Sequence, residues 1–148
     1  ARGRASSRRP AAAARRPAVA GAAGVAGPGA KVCGVTRPED AAAAAAAGAA
    51  FVGMIMWPKA KRSLDAPAAR AVADAAREGG AVPVGVFVDE SADEIVAACD
   101  AAGLDHAQLH GDGARASLKD LPMRIKAIYV MQADEGGALT TPAPGEDV

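Results

Sequence analysis

One alternation constrains this sequence more than anything else in it. A short apolar run, a helix-starting signal, an alanine-rich stretch and a terminating glycine recur from residue 31 onward. The apolar runs fall at 31–36, 51–56, 83–88, 106–110 and 125–130, each of strand length, and 51–56 is apolar throughout, as a strand covered on both faces requires. Between them the spacing predicts helices over 37–47, 65–77, 91–102 and, more weakly, 114–121. Alanine, the best helix former, fills the first of these, and Gly48, Gly79 and Gly103 stand where the helices must stop. Thr36 with Glu39 and Ser91 with Glu94 have the spacing of capping boxes, Pro38 suits a first turn, and Asp65 with Pro67 opens the second helix. Five strands separated by four helices imply right-handed βαβ units and a parallel sheet.

Periodicity leaves two architectures open, a doubly wound sheet and part of a (β/α)8 barrel. No G-x-G-x-x-G follows the first strand, which weakens a dinucleotide-binding fold. Polar groups recur instead at successive strand ends: Cys33, then Lys59 and Arg62, then Asp89, then His110. In a barrel those ends converge on one mouth. The expected fold is therefore α/β, an incomplete (β/α)8 TIM barrel of about five parallel strands.

The candidate chemistry lies at that mouth. Strand alternation puts Lys31 and Cys33 on one face, and the helix start that follows Cys33 adds a second influence favouring a thiolate. Cys33 is a base, a nucleophile or a small buried hydrophobe. Cys99, one turn beyond Ile95 on an alanine-rich helix, reads as core. Lys59, Lys61 and Arg62 share one loop, either a solvated surface or an anion site in which Arg grips a carboxylate or phosphate bidentately. Trp57 beside them covers an aromatic ligand or plugs the barrel top. Gln108 and His110 share a strand face and line the mouth.

Four stretches, 31–36, Gly53 with 57–63, 83–88 and 108–111, occur in the order and spacing of phosphoribosylanthranilate isomerase, and the chain resembles that family over residues 31–139. Residues 128–139 look most like the plant form. The resemblance implies a cofactor-free Amadori rearrangement of N-(5′-phosphoribosyl)anthranilate, a step of tryptophan biosynthesis. It implies that Cys33 is the general base at C2′ of the ring-opened Schiff base, and that Arg62 holds the anthranilate carboxylate. Lys31, Gln108 and His110 join them in the substrate site. The family's proton donor is an aspartate on a sixth strand, and its phosphate loops follow the seventh and eighth. None of these falls within the 148 residues, so the chain alone is expected to be inactive. Ala60 stands where a serine is common, and Asp89 does not match the family's acid. Open barrel edges suggest self-association, or a non-catalytic isoform acting as an interaction module.

Charge separates the remaining parts. The formal net charge is zero, yet Arg2, Arg4, Arg8, Arg9, Arg15 and Arg16 lie in the first 30 residues, which hold no acid. Those residues lack hydrophobic period and read as a disordered leader, either an organelle transit peptide, implying a chloroplast location, or an uninformative extension. Without interleaved aromatics the basic run makes a poor nucleic-acid site. Two cysteines outside any C-x-x-C or Cys/His cluster argue against a disulfide framework and a zinc site, and no apolar run approaches the roughly 20 residues of a membrane span. After Met131 the pattern stops, and residues 132–148 read as a polar, Gly/Pro-containing stretch that ends in an irregular tail over 140–148.

Overall fold

The protein is described by a computed structural model, which covers residues 29–145. Strands β1 (Lys31–Cys33), β2 (Phe51–Ile55), β3 (Val82–Phe87), β4 (His106–Leu109) and β5 (Lys126–Tyr129) alternate with helices α1 (Pro38–Ala46), α2 (Ala66–Glu78), α3 (Ala92–Ala102) and α4 (Asp112–Ala116). The leader expected over 1–30 lies outside the described residues, except for its last two.

All pairings are parallel, and the sheet order β1-β2-β3-β4-β5 follows the chain without reversal. A doubly wound sheet must reverse its order; a right-handed winding that never reverses keeps every helix on one side and curls the sheet toward a barrel. The structure thus decides for the barrel, in five successive βα steps.

The two sheet faces divide the core. Val52, Met54, Phe87, Ala107 and Leu109 are buried toward the helices, in one cluster with Ala41, Ala45, Ala69, Val72, Ile95 and Cys99. Buried positions 69, 72, 73 and 76 make a single stripe along α2. The opposite, concave face carries the residues paired as Cys33↔Gly53, Gly53↔Val84, Ile55↔Val86 and Val86↔Gln108. Alanine on the helices lets them pack close to one another, which compensates for the scarcity of large apolar side chains.

Helix ends test the capping signals individually. Asp65 accepts from the Ala68 amide at 2.9 Å, and Ser91 and Glu94 form the reciprocal capping box. Gly103 ends α3 in the left-handed conformation. The Thr36–Glu39 box does not form: α1 is capped by Arg37 without a side-chain bond. The turn through Gly34 and the proline at the first helical position delay the start by one residue, so Glu39 sits at the second position instead of the third. Arg37 instead grips Asp40 with two 2.9 Å hydrogen bonds, which lowers the Asp40 pKa.

Two further departures lie near the carboxyl end. Gly111-Asp112-Gly113, which reads as a turn, is already the cap and first turn of α4, and a 3-10 turn over Leu118–Asp120 replaces the rest of the expected helix. After β5 the chain is not simply irregular: Ala133 and Leu139 form an antiparallel bridge, and the buried Thr141 hydroxyl accepts from the Gln132 amide. Three arginines meet the carboxyl end of α3: Arg70 and Arg77 donate to its terminal carbonyls, and Arg124 grips Asp100 at 2.6 and 2.9 Å. Cations there complement the helix dipole.

Candidate active site

The carboxyl ends of β1 to β4 lie side by side, and the first of them carries the thiol. Cys33 is the last residue of β1 and pairs with Gly53 of β2. Glycine at 53 leaves a notch. A Cβ placed there would stand 2.6 Å from Lys31 Nζ and 2.8 Å from Cys33 Sγ, so both side chains lean over the same backbone atom on the concave face. Cys33 is exposed in this chain. Cys99 is fully buried on α3, as the sequence predicts, and burial pushes its thiol up to about 11.

Arg62 reaches the same place from the loop after β2. The chain leaves Cys33 through Gly34 at φ +76, a conformation that costs any residue with a Cβ. The Arg62 guanidinium lies against that bare Cα, and its Nη1 donates to the Gly34 carbonyl at 3.0 Å. The thiol and the guanidinium, 29 positions apart in sequence, are therefore joined through a single intervening glycine. One N–H of the fork is spent on Gly34, leaving the others for an anion.

The rest of the cationic loop turns away from Arg62. Asp89 Oδ2 accepts from the Trp57 indole at 3.0 Å and from Lys59 Nζ at 3.3 Å, and Lys59 sits 5.7 Å from the Trp57 ring centre. Lys61 is exposed. Gln108 and His110 are brought together, with Gln108 Nε2 3.5 Å from His110 Nδ1, although His110 lies just beyond the end of β4.

Sequence reading missed one buried charge. Arg115 on α4 is 8% exposed and donates to the carbonyls of His110 and Val130 and to the Asp112 carboxylate. It fastens the carboxyl ends of β4 and β5 to each other, a role betrayed in the sequence only by Asp112 three residues earlier. Below the rim, His106 bonds Asp105 at 2.8 Å and tilts against Phe51. Burial raises the Asp105 pKa, but hydrogen bonds from His106 and the backbone, together with the His106 and Lys126 charges, outweigh it and the net shift is downward. Among the described residues no three His, Cys, Asp or Glu side chains converge as a metal site.

A thiol and an ammonium on one face, beside a guanidinium with free donors, suit removal of a proton from an anionic substrate held at the barrel mouth. The sequence profile of the family described as N-(5′-phosphoribosyl)anthranilate (PRA) isomerase matches residues 30–142. The chain belongs to that isomerase family.

Relatives agree with this placement. N-(5′-phosphoribosyl)anthranilate isomerase 1, chloroplastic, of Arabidopsis thaliana is 46% identical over 117 residues, covering 79% of this chain and 42% of the plant protein. The isomerase of Chlamydia caviae is 39% identical over 112 residues, or 76% of this chain and 54% of that protein. Among solved structures, the phosphoribosyl anthranilate isomerase of Thermus thermophilus superposes with a TM-score of 0.61 at 35% identity, covering 69% of this chain and 50% of its own. An isomerase in complex with reduced 1-(o-carboxyphenylamino)-1-deoxyribulose 5-phosphate gives 0.60 at 32% identity, covering 68% and 51%. The chain spans about half the length of these family members, consistent with five of eight barrel steps.

Proposed function

We propose that this chain supplies the proton-abstracting and anthranilate-gripping part of a phosphoribosylanthranilate isomerase. The reaction converts N-(5′-phosphoribosyl)anthranilate to 1-(2-carboxyphenylamino)-1-deoxyribulose 5-phosphate in tryptophan biosynthesis, without a cofactor. The junction of Cys33, Gly34 and Arg62 carries the reading, because it sets a base and a carboxylate clamp at a fixed spacing. Arg62 holds the carboxylate of the aminobenzoate, and Gln108, His110 and Lys31 line the remaining approach. Once the ribose ring has opened to the Schiff base, Cys33 as thiolate takes the proton from C2′. The C–H electron pair becomes the enamine double bond, and tautomerisation of the enol gives the ketose. A protonated group must serve the ring oxygen, and the family resemblance assigns this to an aspartate on a sixth barrel strand, with the phosphate held beyond it. The five described strands carry the proposed base and carboxylate clamp.

The chloroplast is the proposed location. The Arabidopsis relatives are chloroplastic proteins, and the Arg-rich, acid-free first 30 residues suit delivery to an organelle. One-sided β1 and β5 edges also support pairing with a second barrel segment.

The test is a hybrid in which residues 30–142 replace the matching stretch of Arabidopsis isomerase 1. It should restore growth of an isomerase-deficient bacterium without tryptophan, and Cys33→Ser should lower kcat by roughly 10²- to 10⁴-fold. A folded hybrid whose turnover ignores Cys33→Ser would refute the assignment of the base.

A further inference from the structure

We infer that Asp89 is a positioning residue that keeps Arg62 in place for its carboxylate. The inference rests on the proposed role of Arg62 as anthranilate anchor. Between β2 and α2 the loop closes on its own strand through Leu64 N to Ile55 O at 2.9 Å, with internal turns from Ala60 to Trp57 and from Ser63 to Ala60. Those bonds shape the loop but do not aim it. Aim comes from its two sides. Toward β1, Arg62 rests on Gly34; toward β3, Trp57 and Lys59 both donate to a single carboxylate oxygen of Asp89. The loop is thus a strap across three strand ends, with its substrate-gripping residue at one end and Asp89 at the other.

Asp89 is itself fixed. Glu90 Oε2 accepts from the amides of Val88 and Asp89 at 2.7 and 3.1 Å, the Ser117 hydroxyl donates to the Glu90 carbonyl, and Ala114 N donates to the Val88 carbonyl at 3.0 Å. The anchor point belongs to the rigid end of β3 and α4, and not to a free loop. Asp89 also occupies Lys59, the neighbouring cation that would otherwise compete with Arg62 for an anion. Of the two bonds, the indole's carries more of the aim. The Lys59 pair is exposed and screened, whereas the indole N–H has a fixed direction and a charged acceptor.

Trp57 is the only tryptophan, so the strap has its own optical probe in the intact chain. Asp89→Ala should make Trp57 about twofold more open to acrylamide quenching, while Asp89→Asn, whose amide oxygen still accepts from the indole, should stay near wild type. In the hybrid barrel, Asp89→Ala should raise KM about fivefold with kcat within about twofold, and Asp89→Asn should restore most of it. A thermal midpoint unchanged by either variant separates aim from folding. Unchanged quenching in Asp89→Ala overturns the strap. Increased quenching with unchanged KM, or a loss confined to kcat, overturns its link to Arg62. If Arg62→Ala itself leaves KM unchanged, the anchor reading fails and takes this inference with it.

Discussion

Replacing Gly34 by alanine probes the junction on which the site depends. At φ +76 a residue with a Cβ pays about 1–2 kcal/mol for the left-handed backbone. The new methyl would also fall on the Arg62 guanidinium, whose Cζ would be only 2.6 Å away, so the side chain must swing off and give up its bond to the Gly34 carbonyl. A charged donor at a part-buried site makes that bond worth roughly 1 kcal/mol. The expected cost is therefore about 2–3 kcal/mol, measured by urea unfolding of the chain followed by circular dichroism. Arg62→Ala separates the two parts. In its background the methyl meets no guanidinium, so Gly34→Ala should cost only the backbone share, leaving a coupling of about 1 kcal/mol. Equal costs in the two backgrounds would show that Gly34 and Arg62 do not interact. A total below about 0.5 kcal/mol would refute the strained turn itself.

Three further outcomes can be checked on the same chain. Ser91→Ala should lose about 1 kcal/mol by removing a formed cap, whereas Thr36→Ala should change unfolding by less than about 0.5 kcal/mol, because no cap bond exists there to lose. The buried Cys99 thiol, raised from 9.0 to about 11, keeps its proton in the folded state while the unfolded chain gives it up. Stability should therefore fall as pH rises from about 9 to 11, by at most a few kcal/mol (~1.4 kcal/mol per pH unit), and Cys99→Ala should flatten that limb of the urea-midpoint profile. Under native conditions at neutral pH, iodoacetamide should label the exposed Cys33 and spare Cys99.

Much of the scaffold was legible because its signals are local. Apolar runs, alanine content and glycine stops operate within a few residues, and the strand and helix order follows from them. The failures have local causes too. Thr36 and Glu39 carry a valid capping pattern, but the turn through Gly34 and the proline at the first helical position shift the helix by one residue and dissolve it. In α4, Asp112 and Arg115 pair across one turn and draw Gly111 and Gly113, ordinary turn residues, into a helix start. The site was half legible. Lys31 and Cys33 share a face by alternation alone, and the family motifs singled out Arg62. What joins them depends on register. Only the offset of β1 against β2 puts Gly53 under the thiol, and no sequence period encodes that offset. Asp89 is legible as an acid at a strand end, but its contacts are not, since its partners Trp57 and Lys59 lie 32 and 30 residues earlier on a different loop.

Each strand of this sheet touches only its predecessor and successor in the chain, and β1, which bears the thiol, has a neighbour on one side alone. In any closed barrel the free side of the first strand is the seam, sealed by the last strand to be made. The base proposed at Cys33, beside that seam, would receive its final wall only when the ring shuts. On the proposed role, reactivity at Cys33 toward substrate and completion of the barrel would become one event, and a partly assembled chain would bear a thiol open to small reagents but no closed pocket in which to use it.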